Sequence, residues 1–475
     1  MPADGKTLHI GLITIPHHFD PRNAQDFVSN FVVAQIFETP YAPPKGDRPP
    51  EPMLFAEPLR LDSGAGESQV FSAPIRPGVT FSDGTAMSVE RVVESLTSSR
   101  LLAAQTDVEA DGERVVFRLR RPNARFDLVL TQRYASVLLD RGGELLSTGP
   151  YLPAPDSRPE RLHLVRNPRY RGSVDVGELR FATYPLNGDG KPEALVAAIE
   201  SGEVDFSNVL AREHVGGLKR IRKWLEPGSS TAILYFNTER PALAHPQVRR
   251  ALAHAVDRSE VTRVCYPNPL TFTATSLLPP LMGRWNDGLG HDPRLAAQLL
   301  RQADGDKPER LKLLLIFGPR PYLPNPRAVA DKLAKQIGEL GIAVDVEPTG
   351  DSETYYREIA AGRYDMALAG WIADTPDPAD FLEAILGPDA IPSPHRPIVV
   401  HANLSRWKNA EAAEALERFR AETSGAARDR LDELVRTEVP LLPLMYGPTL
   451  YVYTPRLQFE PSPLGIPLLA EARLE

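Results

Sequence analysis

The chain has 475 residues, of which 42% are hydrophobic and 24% charged, and its formal net charge at pH 7 is −8. One hydrophobic core cannot organise a chain of this length, so two or three domains are expected. The acidic balance argues against a nucleic-acid partner. The single cysteine, Cys265, excludes an internal disulfide and a metal site built from cysteines. No apolar run is long enough to span a membrane.

The first 150 residues change in pattern along their length. Residues 8–15 fit a β-strand, and residues 25–37 place apolar side chains at helical spacing. Beyond residue 57 the chain consists of short strands and turns, with a helix over residues 88–96 that Ser88 is placed to cap. These patterns predict a small inserted α+β domain over residues 41–147.

The second half of the chain alternates between strands and helices. A strand is predicted at residues 233–238, and further strands at 312–317, 342–346 and 364–368, with helices at 328–340 and 352–360 between the last three. Such alternation is typical of a parallel sheet covered by helices on both faces, so the fold class is α/β. Near the C-terminus, helices at 409–420 and 426–437 precede two strands at 441–446 and 450–453.

Residues 368–381 are the first candidate for a binding site. They follow the predicted strand at 364–368 and contain Gly370, Trp371 and Asp374 in a loop stiffened by prolines. Open α/β sheets hold their ligands at the carboxyl ends of the strands. The alternative is an acidic loop that does no more than face solvent.

Catalytic and metal-binding patterns are missing from the sequence. No nucleophile elbow, zincin motif or dinucleotide fingerprint occurs, and residues 187–192 lack the Gly-Lys-Ser/Thr ending of a phosphate loop. His17 and His18 would point to opposite faces of an extended segment, and Glu438 is interpreted as structural. We therefore predict no catalytic residue, no metal ligand and no cofactor.

A series of short motifs follows the order found in a known family of proteins. The motifs lie at residues 36–39, 75–85, 148–151, 202–205, 236–238 and 248–258. From about Leu8 to about Leu457, the chain resembles the peptide-, opine- and nickel-type solute-binding proteins of ABC transporters. Some features depart from that family: the chain is short between Asp140 and Thr148, and the paired cysteines of the dipeptide-binding branch are missing.

The resemblance implies a periplasmic-binding-protein-like fold of two hinged lobes, with an extra inserted α+β domain in the first lobe. The first lobe would comprise residues 1–40, 148–257 and 447–475. The inserted domain would comprise residues 41–147, and the second lobe residues 258–446. A ligand would bind in the cleft between the two lobes.

A closer resemblance is to the dipeptide-binding branch of the family. Its Arg-Pro-Tyr-x-Pro-Asn loop matches residues 320–325, which implies that Arg320 holds the carboxylate of a peptide. Its Gly-Trp pair matches Gly370 and Trp371, which implies that Asp374, three residues beyond Trp371, holds the peptide ammonium. The chemistry agrees, because the planar guanidinium fits a carboxylate with two parallel hydrogen bonds.

The resemblance also suggests residues that line the same pocket. Asn403 and Trp407 belong to an Asn-x-Ser-x-Trp segment similar to one near the ligand in that branch. Tyr322, Trp371 and Trp407 would form the walls of the cleft. The alternative for these aromatic side chains is an ordinary place in the hydrophobic core.

Three functions stay open at this point. The resemblance implies a monomeric receptor that delivers a small peptide or amino-acid-like zwitterion to an ABC permease, in the periplasm or at the outer side of a membrane. A cytosolic descendant acting as a ligand sensor or biosynthetic accessory protein is the first alternative, and an enzyme in the same cleft is the second. The residues at the N-terminus do not form an export signal, which keeps a cytoplasmic location open.

Overall fold

The computed structural model describes residues 6–475 except 17–18, 25, 46–47, 65–68, 159, 189–190, 284–288, 304–306, 317, 374, 396–401 and 463. The chain divides into two compact units. The first unit contains Met1–Leu225 and Thr449–Glu475, and the second contains Glu226–Pro448.

The first part of the chain carries thirteen strands among its described residues. They are β1 (Lys6–Leu12), β2 (Tyr41–Ala42), β3 (Glu51–Pro52), β4 (Arg60–Ser63), β5 (Val70–Pro74), β6 (Thr106–Asp111), β7 (Arg114–Leu119), β8 (Leu138–Arg141), β9 (Glu144–Ser147), β10 (Tyr151–Pro153), β11 (Arg161–Arg166), β12 (Val176–Thr183) and β13 (Phe206–Ser207). The α-helices of this part are α1 (Phe27–Ile36), α2 (Val89–Thr97), α3 (Arg100–Ala103), α4 (Phe126–Val129) and α5 (Glu193–Ser201).

The remaining elements begin with a long strand. The strands are β14 (Arg222–Phe236), β15 (Arg310–Leu315), β16 (Ala343–Pro348), β17 (Met366–Ile372), β18 (Leu441–Tyr453), β19 (Leu457–Gln458) and β20 (Arg473–Leu474). The helices are α6 (Pro241–Ala244), α7 (Pro246–Ala255), α8 (Arg258–Arg263), α9 (Pro293–Gln302), α10 (Pro326–Gly338), α11 (Ser352–Ala360), α12 (Pro378–Leu386), α13 (Ala410–Glu422) and α14 (Gly425–Glu438).

The first unit is organised around β1. This strand pairs in parallel with β12 and with β13, and β13 pairs with the end of β18 through Phe206 and Tyr453. The ring of Phe31, on α1, packs 5.8 Å from Phe181 and 6.0 Å from Phe206. Asp26 caps α1 by accepting a hydrogen bond from the backbone of Ser29. The predicted first strand and helix are thus joined by one core.

The predicted inserted domain has its own core within the first unit. Strands β4, β5, β7 and β6 form a four-stranded antiparallel sheet. Its buried aromatic side chains include Phe55, Phe117 and Phe126, and the cluster extends from Tyr41 to Leu146. Ser88 caps α2, as the sequence predicts, by accepting from the backbone N–H of Arg91.

The second unit contains a mixed sheet. Strand β15 is parallel to β16 and to β17, as the strand–helix alternation predicts, whereas β14 is antiparallel to β17. The start of β18 lies beside β14. Helix α10 packs against β15 and β16, and helix α7 packs against α9. None of the helices in the described part of the chain combines the length and apolar character needed to cross a membrane.

Three strands differ from the prediction. Strand β17 continues to Ile372 instead of ending at residue 368, β14 begins at Arg222 instead of residue 233, and β18 is continuous through residues 447–449. Most of the residues added to β14 and β18 are glycine, proline or polar, and the addition to β17 runs through Gly370, so none of the three carries a regular apolar alternation. Hydrogen bonding to neighbouring strands keeps them extended. Strand β14 contains the boundary between the two units, which lies between Leu225 and Glu226.

Candidate ligand-binding site

A tight turn over residues 320–323 covers part of the sheet in the second unit. Arg320 and Leu323 exchange two backbone hydrogen bonds, of 3.0 and 2.9 Å, which fix the turn. The ring of Tyr322 lies against β17 so closely that a Cβ atom on Gly370 would be 2.7 Å from two ring carbons. Real Cβ atoms are not found so close to other heavy atoms, so the contact requires glycine at this position.

A second glycine borders the same turn. A Cβ atom on Gly447, in β18, would be 2.8 Å from the Cα of Tyr322 and would collide with the hydroxyl of Ser230. Strands β17 and β18 therefore contact the turn at glycines, Gly370 and Gly447, which have no side chains. This explains how the turn can lie directly on the sheet.

Gly370 and Trp371 both lie within β17, which corrects the prediction that they belong to a loop. Gly370 pairs with Ala232 and Trp371 pairs with Thr231 of β14. Side chains alternate between the two faces of a strand. Trp371 is therefore on the face opposite to Gly370, whereas the partly exposed Ile372 shares the face of Gly370.

The side chain of Arg320 lies beside the phenol of Tyr322. Burial raises the pKa of Tyr322 to about 12, and the positive charge of Arg320, which also hydrogen-bonds to this phenol, opposes the rise. The Nη1 of Arg320 donates a hydrogen bond of 3.2 Å to the carbonyl oxygen of Pro319. The guanidinium of Arg320 is thus held at the turn, next to the aromatic ring of Tyr322.

The exposed Tyr356 is a member of this group that the sequence did not indicate. It is 38% exposed, and its ring contacts the buried Tyr355 edge-on at 5.4 Å. Tyr356 also acts on Tyr322, because its phenol helps to raise the pKa of Tyr322. Two adjacent aromatic residues in an amphipathic helix such as α11 cannot both face the core, and this signal could have identified Tyr356.

Asn403 has a structural place in this fold. Its side chain is fully buried, and its Nδ2 donates to the carbonyl oxygens of Leu386, Gly387 and Trp407 at 3.0–3.1 Å. Its Oδ1 accepts a hydrogen bond of 2.7 Å from Ser405. Since these contacts occupy both ends of the amide, we leave Asn403 out of the proposed ligand set.

Trp407 is also part of the core. It is 3% exposed, and its indole N–H donates to Glu438 at 2.6 Å. The other carboxylate oxygen of Glu438 accepts from Asn409 at 2.6 Å. We therefore leave Trp407 out of the proposed ligand set. Glu438 joins the segment of Trp407 and Asn409 to the end of α14.

Asp374 lies outside the described residues, as do His17 and His18. The residues after Asp374 form a capped helix start: Thr375 accepts from the backbone of Asp377 at 3.1 Å, and Asp377 accepts from the backbone of Ala379 at 2.9 Å. In sequence, Asp374 thus lies between β17, which is paired with β14, and the hydrogen-bonded start of α12. Within the described residues, no three His, Cys, Asp or Glu side chains converge as a metal-ligand set.

Comparison with known proteins places this chain in a family. The model of "Bacterial extracellular solute-binding proteins, family 5 Middle" matches residues 67–393. The probable ABC transporter periplasmic-binding protein SapA of Escherichia coli is 26% identical over 375 residues, which cover 72% of this chain and 64% of SapA. Di/tripeptide-binding protein 2 of Pseudomonas aeruginosa is 26% identical over 361 residues, or 71% of this chain and 65% of that protein.

The fold is shared with solved structures over the whole chain. The structure of HbpA2 from Haemophilus parasuis has a TM-score of 0.84 at 19% identity, with 99% of this chain and 100% of that chain covered. This likeness confirms the predicted α/β fold of the periplasmic-binding-protein type. Because the family model covers more than half of the 475 residues, this protein belongs to the bacterial extracellular solute-binding proteins of family 5.

Proposed function

We propose that this protein captures a small peptide or amino-acid-like zwitterion and delivers it to the permease of an ABC importer, without turning the ligand over. The observation that carries this proposal is the position of Arg320 on a rigid turn, beside the buried Tyr322. Relatives whose names state peptide transport or di- and tripeptide binding support the ligand class.

Arg320 is the proposed anchor for the ligand carboxylate. A guanidinium donates two parallel hydrogen bonds to a carboxylate, and the pair becomes stronger as water leaves it. The turn presents Arg320 beside the phenol of Tyr322, and the exposed ring of Tyr356 supplies apolar surface close by. Such a site favours a carboxylate attached to an apolar group.

Asp374 is the proposed anchor for the ligand ammonium. In sequence it follows the end of β17 by two residues, and β17 carries Gly370 under the ring of Tyr322. One cationic and one anionic anchor fit a zwitterion and disfavour ligands that carry a single charge. Trp371 lies on the opposite face of the same strand, so we leave it out of the proposed ligand set.

The family and its named relatives also suggest where this protein acts and in which form. The family is one of solute-binding proteins, and its named relatives include periplasmic proteins. We therefore propose a periplasmic or extracellular location for this protein, and a monomer as the form that binds ligand.

A thermal-shift screen of dipeptides, tripeptides, single amino acids and opines tests the proposal. A ligand that binds only the native state raises the melting temperature, and at a hundredfold excess over Kd it stabilises the fold by about 2.7 kcal/mol. Hits should be recovered intact by mass spectrometry. A converted ligand would indicate an enzyme, and a screen in which no zwitterion shifts the melt would refute the proposal.

A further inference from the structure

A strip of exposed cations lies at the surface of the first unit. Lys219, Arg220, Arg222 and Lys223 are all exposed, and only Ile221 separates the two pairs in the chain. Within the described part of the protein, none of these four side chains forms an ion pair or a hydrogen bond with another side chain. We call residues 219–223 the cationic strip.

The apolar residues around the cationic strip pack against the first unit and so fix the position of its backbone. Leu218 is buried in the cluster formed with α5, and Ile221 and Leu225 pack against the same cluster. The ring of Trp224 lies 5.5 Å from that of Tyr451. The apolar neighbours are therefore anchored to the first unit, and the four cations stay exposed within five consecutive residues.

The strip contrasts with the rest of the molecule. The net charge is −8, and several exposed arginines elsewhere are paired with acids: Arg118 with Glu109, Arg120 with Asp107, Arg310 with Asp345, and Arg327 with Asp331. The acids nearest to the strip in sequence are Glu213 and Glu226, which are exposed as well. The strip therefore reverses the sign of charge over a short stretch of an acidic protein.

We propose that the cationic strip binds the anionic phospholipid head groups of a membrane. Clusters of four or more Lys and Arg side chains are attracted to such a surface, and the attraction fades within about 10 Å at moderate ionic strength. The acidic remainder of the protein is repelled by the same surface, so binding through the strip also sets an orientation. The strip exposes no aromatic ring for insertion, and the binding is accordingly reversible and salt-sensitive.

This inference does not depend on the identity of the ligand. It adds to the proposed function a way to concentrate the protein at the membrane that holds a permease. A failure of the peptide screen would leave the membrane inference standing, and a failure of membrane binding would leave the peptide proposal standing.

Vesicle co-sedimentation tests the inference with the full chain. The protein should sediment with vesicles that contain phosphatidylglycerol, should not sediment with vesicles of phosphatidylcholine alone, and should be released by added salt. The variant K219Q/R220Q/R222Q/K223Q should lose binding by about tenfold or more. The control variant R118Q/R120Q/R310Q/R327Q removes the same number of positive charges and should bind like the parent.

The outcomes that would overturn the inference are distinct. Equal binding to both kinds of vesicle, or unchanged binding by the strip variant, would show that the strip does not recognise anionic lipid. An equal loss in the control variant would show that only net charge matters. Binding to polyglutamate but not to vesicles would assign the strip to an acidic polypeptide instead. If the quadruple variant melts early, K219Q/R220Q and R222Q/K223Q should each lose part of the binding.

Discussion

The ring of Tyr322 occupies the space that a side chain at Gly370 would need. A Cβ atom at Gly370 would lie 2.7 Å from two carbons of that ring. The contact joins a turn to a strand that lies far from it in sequence, and it places the guanidinium of Arg320 relative to the sheet. The geometry of the proposed carboxylate site therefore depends on the absence of a side chain at Gly370.

Gly370→Ala should displace Tyr322 and the turn that carries it, and the added methyl group would also collide with the carbonyl oxygen of Thr231 in β14. The added methyl group overpacks the contact, and we expect the free energy of unfolding to fall by about 1–3 kcal/mol. Ligand affinity should fall as well, because Arg320 moves with the turn. Chemical denaturation and calorimetry measure the two effects. Gly350→Ala is the matched control, since no atom lies within 4 Å of its added methyl group.

Arg320→Gln should weaken the binding of a peptide with a free carboxylate by about 3 kcal/mol, because the ligand charge then lies unpaired. Amidation of the peptide should weaken binding to the parent to a similar extent. Amidation should add little when Arg320 is already replaced, since both changes remove the same pair. Calorimetry of all four combinations measures this coupling.

Arg327→Gln is the control for the Arg320 experiment. Arg327 is exposed and pairs with Asp331, on the helix that follows the turn. Its replacement should leave peptide affinity unchanged. Fully additive effects of amidation and Arg320→Gln would show that Arg320 does not hold the carboxylate.

Asp374→Asn should weaken binding by roughly 3 kcal/mol through the loss of the ammonium partner. N-acetylation of the peptide removes the same charge from the ligand, so the two changes together should cost little more than either one. Calorimetry with free and acetylated peptides is the measurement. Equal affinity of the parent and Asp374→Asn for the free peptide would remove Asp374 from the site.

Asn403→Ala should reduce stability and leave recognition unchanged. The substitution removes the donor to the carbonyl oxygens of Leu386 and Trp407, and each such buried group costs about 1–3 kcal/mol. The carbonyl oxygen of Gly387, in contrast, keeps the backbone N–H of Ala390. Denaturant titration should show the loss, while calorimetry below the melting temperature should give the parent's Kd. A large rise in Kd at unchanged stability would instead return Asn403 to the ligand set.

The protein should lose stability above pH 10 in part through Tyr322. Burial raises the pKa of its phenol from 10.0 to about 12, so the phenol stays protonated in the folded state while the unfolded chain ionises. The unfolded state is therefore stabilised relative to the folded state as pH rises from 10 to 12, by at most about 1.4 kcal/mol per pH unit. Below pH 10 this contribution to stability is fully present.

Denaturant titrations at pH 9, 10 and 11 measure this dependence. Tyr322→Phe should show a smaller loss of stability than the parent over this range, because it removes the titrating group. Tyr453→Phe is the control and should follow the parent, because Tyr453 is not among the groups that act on the pKa of Tyr322. Equal pH slopes for the parent and Tyr322→Phe would contradict the buried position of this phenol.

The sequence by itself determined most elements and one part of the candidate site. Helical spacing and N-cap residues located α1 and α2, and apolar runs located β1 and β15, because these signals lie in neighbouring residues. The motif at residues 320–325 identified Arg320 and Tyr322, which the structure brings into contact.

Only the tertiary structure decided what the other candidate residues do. The extension of β17 through Gly370 and Trp371 depends on pairing with Ala232 and Thr231, which lie far away in sequence. The buried amide of Asn403 and the approach of Tyr356 to Tyr322 also depend on distant segments. Local patterns report the preferences of a residue, whereas its partners and its burial are fixed by residues that folding brings together.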